Sequence, residues 1–79
     1  MVGDELRVAR LAAHWTQEKL AEEAEISRNY VSLLELNRKS PTVDVLLAVC
    51  EALGVSTTDL IRRVERQRPR SRKASRRQA

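Results

Sequence analysis

The chain has no phenylalanine, one tryptophan (Trp15) and one tyrosine (Tyr30), so any core must be assembled from Leu, Val, Ile and Ala. That palette favours helices over a β-sandwich. A single cysteine, Cys50, excludes an internal disulfide, and with one histidine, His14, no Cys/His zinc-ligand set can be drawn. Apolar runs extend only a few residues, far short of the roughly 20 that a bilayer crossing needs, and the first residues hold no apolar stretch of the signal-peptide kind. A soluble cytoplasmic protein with no membrane partner is expected. Glycine is scarce as well: Gly3 and Gly54 cannot form a phosphate-cradling loop. His14 and Cys50 are distant in sequence with nothing to pair them, and no acidic cluster has metal-ligand spacing. No catalytic site, metal or cofactor is therefore expected, and Cys50 reads as an inert core thiol rather than a redox switch.

What is present is charge, unevenly placed. The chain has 79 residues and a formal net charge of +4, room for one small domain. Residues 66–79 hold seven Lys and Arg and no acid, leaving eight basic against eleven acidic groups in residues 1–65, a net of minus three. The positive balance lies in the tail. A run this polar and like-charged, interrupted by Pro69 and Ser71, is expected to be a disordered basic arm, with nucleic acid as its natural polyanionic partner or with solubility as its only role.

Residues 1–65 read as one all-α unit of five short helices. Val2, Leu6, Ala9 and Ala13 form the stripe of an amphipathic helix ending near His14, which could cap it. Trp15 would anchor that helix, and Thr16 caps a second whose inward face is Leu20, Ala21 and Ala24. Two residues later Ser27 can cap a third helix with Val31 and Leu34 inward, and Asn37 suits its C-terminus. Thr42 caps a fourth, with an expected stripe of Val43, Leu46, Leu47, Cys50 and Leu53, and Gly54 stops it. Ser56 with Asp59 resembles a capping box opening a fifth helix that carries Leu60, Ile61 and Val64.

From Val2 to Ile61 the chain resembles the helix-turn-helix domain of the phage Cro and repressor type, also called the XRE family. The stretch TQEKLAEEAEISRNYVSLLELNRKSPT, Thr16 to Thr42, carries the resemblance, with its Thr-Gln start, small Ala21, Ile26-Ser27 turn exit and Glu35 after Leu34. By length, and by Arg28 with Tyr30, it also resembles the small controller proteins of restriction-modification systems. The fold implied is a five-helix bundle of the phage-repressor type. Two positions depart from the family pattern: Glu25 and Asn37 stand where Gly is usual. Asn tolerates the left-handed backbone, whereas Glu25 would pay roughly 1 kcal/mol for it.

Arg28, Asn29, Ser32 and Leu33 share the outer face of the third helix and are the candidate base readers in a DNA major groove. Arg28 can donate two bonds to guanine, Asn29 can read adenine or hold a phosphate, and Ser32 can reach either. Leu33 either touches a thymine methyl or packs on a neighbouring loop. Candidate phosphate contacts are Gln17 at the second helix's amide end, Ser27, Tyr30, and the loop of Arg38, Lys39 and Ser40 with Thr42 at the start of the fourth helix. Glu18, Glu22, Glu23 and Glu25 would lie off the DNA.

One helix-turn-helix reads too few base pairs to choose a genomic site, so a homodimer on a palindromic operator is expected. The expected seam is Val55, Leu60, Ile61 and Val64, unless these close the monomer core over the first helix; Val8, Leu11 and Leu36 have no assigned role. The function expected is that of a nucleoid-associated, sequence-specific transcriptional regulator, with RNA polymerase a further candidate partner. The competing reading is an adaptor for RNA, nonspecific DNA or protein, such as a bridging factor or antitoxin, that draws its affinity from the basic arm.

Overall fold

The computed structural model describes residues 1–67, so the basic arm from residue 68 onward lies outside the described residues. Five helices follow one another: α1 (Val2–Ala12), α2 (Gln17–Ala24), α3 (Arg28–Glu35), α4 (Val43–Leu53) and α5 (Thr57–Gln67). No strand occurs among the described residues. The start of α2, α3, α4 and α5 is set by a hydroxyl one residue ahead. Thr16, Ser27, Thr42 and Ser56 each accept a hydrogen bond from the backbone N–H three residues on, at 3.0 to 3.2 Å. Each satisfies one of the amides that a helix N-terminus leaves without a partner.

The first four helices end alike. His14, Glu25, Asn37 and Gly54 adopt left-handed backbone, with φ of 61°, 59°, 59° and 71°. The following amide, on Trp15, Ile26, Arg38 or Val55, returns to the carbonyl five residues earlier. This closes off carbonyls that the helix leaves open. Only one of the four positions is glycine, and Glu25 does take the left-handed geometry, at the cost foreseen for it.

The core is aliphatic. Leu6, Leu20, Ala21, Ala24, Val31, Leu34, Val49, Cys50 and Leu60 are buried, and Val2, Trp15, Ile26, Val45, Leu46, Ala52, Leu53, Val55 and Val64 pack around them. Each large aliphatic side chain withdrawn from water contributes about 1.5–3 kcal/mol. α2 lies against α3 and α4, and α1 against α3, α4 and α5.

Three expectations need correction. The inward stripe of α4 is Leu46, Val49, Cys50 and Leu53, whereas Val43 is 73% and Leu47 48% exposed. The helix VDVLLAVCEAL is apolar on nearly every side, so periodicity alone set its phase wrongly. Leu60 is fully buried, and Val55 and Val64 pack on the same core, so these three close the monomer and Leu60 has nothing to offer a partner, whereas Ile61 is 42% exposed. The ordered chain also continues past residue 65. Gln67 donates to Glu5 at 2.7 Å and Arg63 donates to the other Glu5 oxygen at 2.9 Å, tying the last turns of α5 to α1.

Candidate nucleic-acid interface

The α2–α3 pair is set by small residues and by the turn. Ala21 and Ala24 are buried beside Leu20, Val31 and Leu34, so the two helices approach closely. Glu25 reverses the chain, Ile26 fills the angle, and Ser27 starts α3 at once. The outer face of α3 is held rigid by its inner one.

On that outer face Arg28 and Asn29 are exposed, and Ser32 and Leu33 are half-buried. These four lie at spacings of one, three and four residues on an eight-residue helix, so they project together. Ser27 is exposed, and its oxygen accepts the Tyr30 amide while its O–H remains free to donate. Tyr30 is half-buried on the flank.

The loop after α3 is built by Asn37. In its left-handed conformation its carboxamide oxygen accepts from the Gly3 amide at 2.9 Å, and its nitrogen donates to Asp4 at 3.2 Å. The Leu33 carbonyl then accepts both the Arg38 and Lys39 amides, at 2.9 and 3.3 Å. Arg38, Lys39 and Ser40 consequently follow the end of α3 with exposed side chains, next to Thr42 at the amide end of α4. His14 is exposed at the end of α1, and Trp15 is half-buried with the Lys19 ammonium 5.5 Å above its ring. Neither belongs to this face.

Gln17 departs from the simple expectation of a free phosphate donor. Its amide nitrogen donates to Glu35 at 3.1 Å. Glu35 is 5% exposed and takes a two-pronged contact from Arg10, at 2.6 and 3.0 Å, while Arg10 also donates to the Trp15 carbonyl at 2.8 Å. The hydrogen-bonded Glu35 carboxylate holds the Arg10 guanidinium above its ordinary pKa, against the opposing effect of burial. This Arg10–Glu35–Gln17 group was missed from sequence. The signal was there: Arg10 continues the buried stripe Gly3, Leu6 on α1, and Glu35 sits four residues after Val31 on the inner face of α3. Two opposite charges at inward positions imply a buried pair.

A helix-turn-helix family model matches residues 6–60. The chain is 35% identical over 60 residues to the immunity repressor protein of Bacillus phage phi105, covering 76% of this chain and 42% of that one. It is 40% identical over 53 residues to the transcriptional regulator ClgR of Mycobacterium tuberculosis, covering 67% of this chain and 47% of that one. It therefore spans less than half the length of these two relatives. Among solved structures, the restriction-modification controller protein C.AhdI of Aeromonas hydrophila superposes with a TM-score of 0.73 at 29% identity, over 75% of this chain and 89% of that one.

Proposed function

The chain belongs to the helix-turn-helix family of the Cro and repressor type, and from that membership we propose that it is a sequence-specific, double-stranded-DNA-binding transcriptional regulator acting in the cytoplasm. The observation that carries this reading is the exposed outer face of α3, with Arg28 and Asn29 at its start. A helix presented in this way enters a major groove with its N-terminal residues at base edges. Arg28 reads guanine, Asn29 and Ser32 contribute further base or phosphate contacts, and Leu33 meets either a thymine methyl or the loop beside it. Gln17, Ser27, Tyr30, Arg38, Lys39, Ser40 and Thr42 fix the register on phosphates.

The protein acts as a homodimer on a palindromic operator. With Leu60 committed to the core, the exposed apolar side chains on α4 and α5 are Val43, Leu47 and Ile61, and these form the seam. Sedimentation of wild type and Leu47→Glu tests it: a dimer that becomes a monomer supports the seam, and a wild-type monomer at concentrations that saturate DNA rejects it. Selection of bound duplexes from a random library at about physiological salt tests the function. A two-fold symmetric consensus with half-sites about one helical turn apart is the expected result. Enrichment of nothing beyond base composition would favour an adaptor that works through its basic arm.

A further inference from the structure

α3 ends at Glu35, yet Leu36 keeps its phase. The Leu36 amide still donates to the Ser32 carbonyl at 3.1 Å, the bond of a residue inside a helix, and the chain turns away only at the left-handed Asn37. Asn37 is pinned there by the Gly3 amide and the Asp4 carboxylate, so the last side chain of the outer face is fixed from both directions. Leu36 falls three residues after Leu33, four after Ser32 and seven after Asn29, which places it on their stripe. It is 61% exposed and stands outside the core, while Val31, Leu34 and Glu35 bury the inner face of the same helix.

Along the outer face the chemistry changes halfway. Arg28, Asn29 and Ser32 carry hydrogen-bonding groups, whereas Leu33 and Leu36, which complete the stripe, carry none. From Arg28 to Leu36 the helix advances about 12 Å, at roughly 1.5 Å per residue, or about three to four base pairs of roughly 3.4 Å each. Of the groups by which base pairs are told apart in the major groove, the thymine C5-methyl is the apolar one. A leucine set against any other edge would strip water from a donor or acceptor and offer nothing in exchange.

We propose that Leu36 is a further specificity-determining residue, packing against a thymine methyl in the part of each half-site that the C-terminal half of α3 meets. This rests on the DNA-binding reading above. The preference for thymine there comes from the methyl alone, because a leucine side chain has no group with which to hydrogen-bond a base.

The test removes the methyl as well as the side chain. Thymines of the selected duplex are replaced one at a time by deoxyuridine, which keeps every hydrogen-bonding group and lacks only the C5-methyl, and binding of wild type, Leu33→Ala and Leu36→Ala is titrated. At one thymine per half-site the replacement should weaken wild type about fourfold, the effect of one such group withdrawn from water. Leu36→Ala should lose a similar factor on the unmodified duplex, and the same deoxyuridine should then weaken it no further. Leu33→Ala should remain sensitive at that thymine. A Leu36→Ala variant that keeps the full deoxyuridine effect overturns the assignment, as does a half-site with no sensitive thymine or a sensitivity that vanishes in Leu33→Ala alone. In the free protein, Leu36→Ala should match wild type in urea midpoint and in sedimentation. A lowered midpoint would assign Leu36 to the fold and a dissociated dimer would assign it to the seam, and either overturns the proposal. Wild type that selects no duplex fails the DNA-binding reading itself, whereas a selected duplex indifferent to its methyls fails only the role of Leu36.

Discussion

At Gly3, α1 approaches the end of α3 so closely that a Cβ would overlap the Leu34 carbonyl oxygen and crowd the Asn37 carboxamide. Both neighbours are fixed, one as backbone and the other by its bond to the Gly3 amide. Gly3→Ala should therefore push α1 off α3 and destabilise by about 2 kcal/mol or more, the range for overpacking against unyielding atoms. Urea unfolding would show a lower midpoint with an unchanged slope. Glu25 is the opposite case. Its side chain is exposed and its backbone strained, so Glu25→Gly relieves a left-handed cost of roughly 1–2 kcal/mol and gives back about 0.4–1 kcal/mol in unfolded-chain entropy. A net gain of about 0.5 kcal/mol is expected in the same assay; a loss would mean the strain is absorbed elsewhere.

At the scale of the helix, α5 is fastened by its last turns. The Gln67 amide, then the Arg63 guanidinium, hold the Glu5 carboxyl below its ordinary 4.5. A depressed folded-state value means this fastening is complete above about pH 4.5 and is lost as pH falls through the lowered value. Amide exchange at the end of α5 should accelerate over that acidic window, and Glu5→Gln should abolish the pH dependence. Sequence patterns foresaw the start of this helix and of three others, because a hydroxyl ahead of a helical stripe has one strong local use. They foresaw the stop at Gly54 as well. They failed where the decision was tertiary: the phase of the nearly all-apolar α4, the burial of Leu60, and the Arg10–Glu35 pair joining helices 25 residues apart. The α5 end was missed for a similar reason, since Gln67 is held by Glu5 from the other end of the fold. At the site, the outer face of α3 was legible because its spacing is local, whereas the tie from Gln17 to Glu35 was not.

For the molecule as a whole, affinity and selectivity should come from different parts. Residues 1–67 carry nine basic and eleven acidic groups, a net of minus two, although the proposed partner is a polyanion. The remaining residues add Arg68, Arg70, Arg72, Lys73, Arg76 and Arg77 and no acid. Because Gln67 is part of the fold, the informative truncation falls after it, not after residue 65. If the regulator reading holds, this truncation weakens binding and lowers the slope of log affinity against log salt by up to about 5 per chain, while the preferred site stays the same. Arg28→Ala should do the converse, relaxing the preference at one base pair by about 1–3 kcal/mol while reducing the salt slope by about 1 at most. Anisotropy titrations over a salt series, on the selected site and a scrambled one, separate the two effects. An arm whose loss abolishes all binding, beside an Arg28→Ala variant indistinguishable from wild type, would transfer recognition from α3 to the arm and make this fold an adaptor.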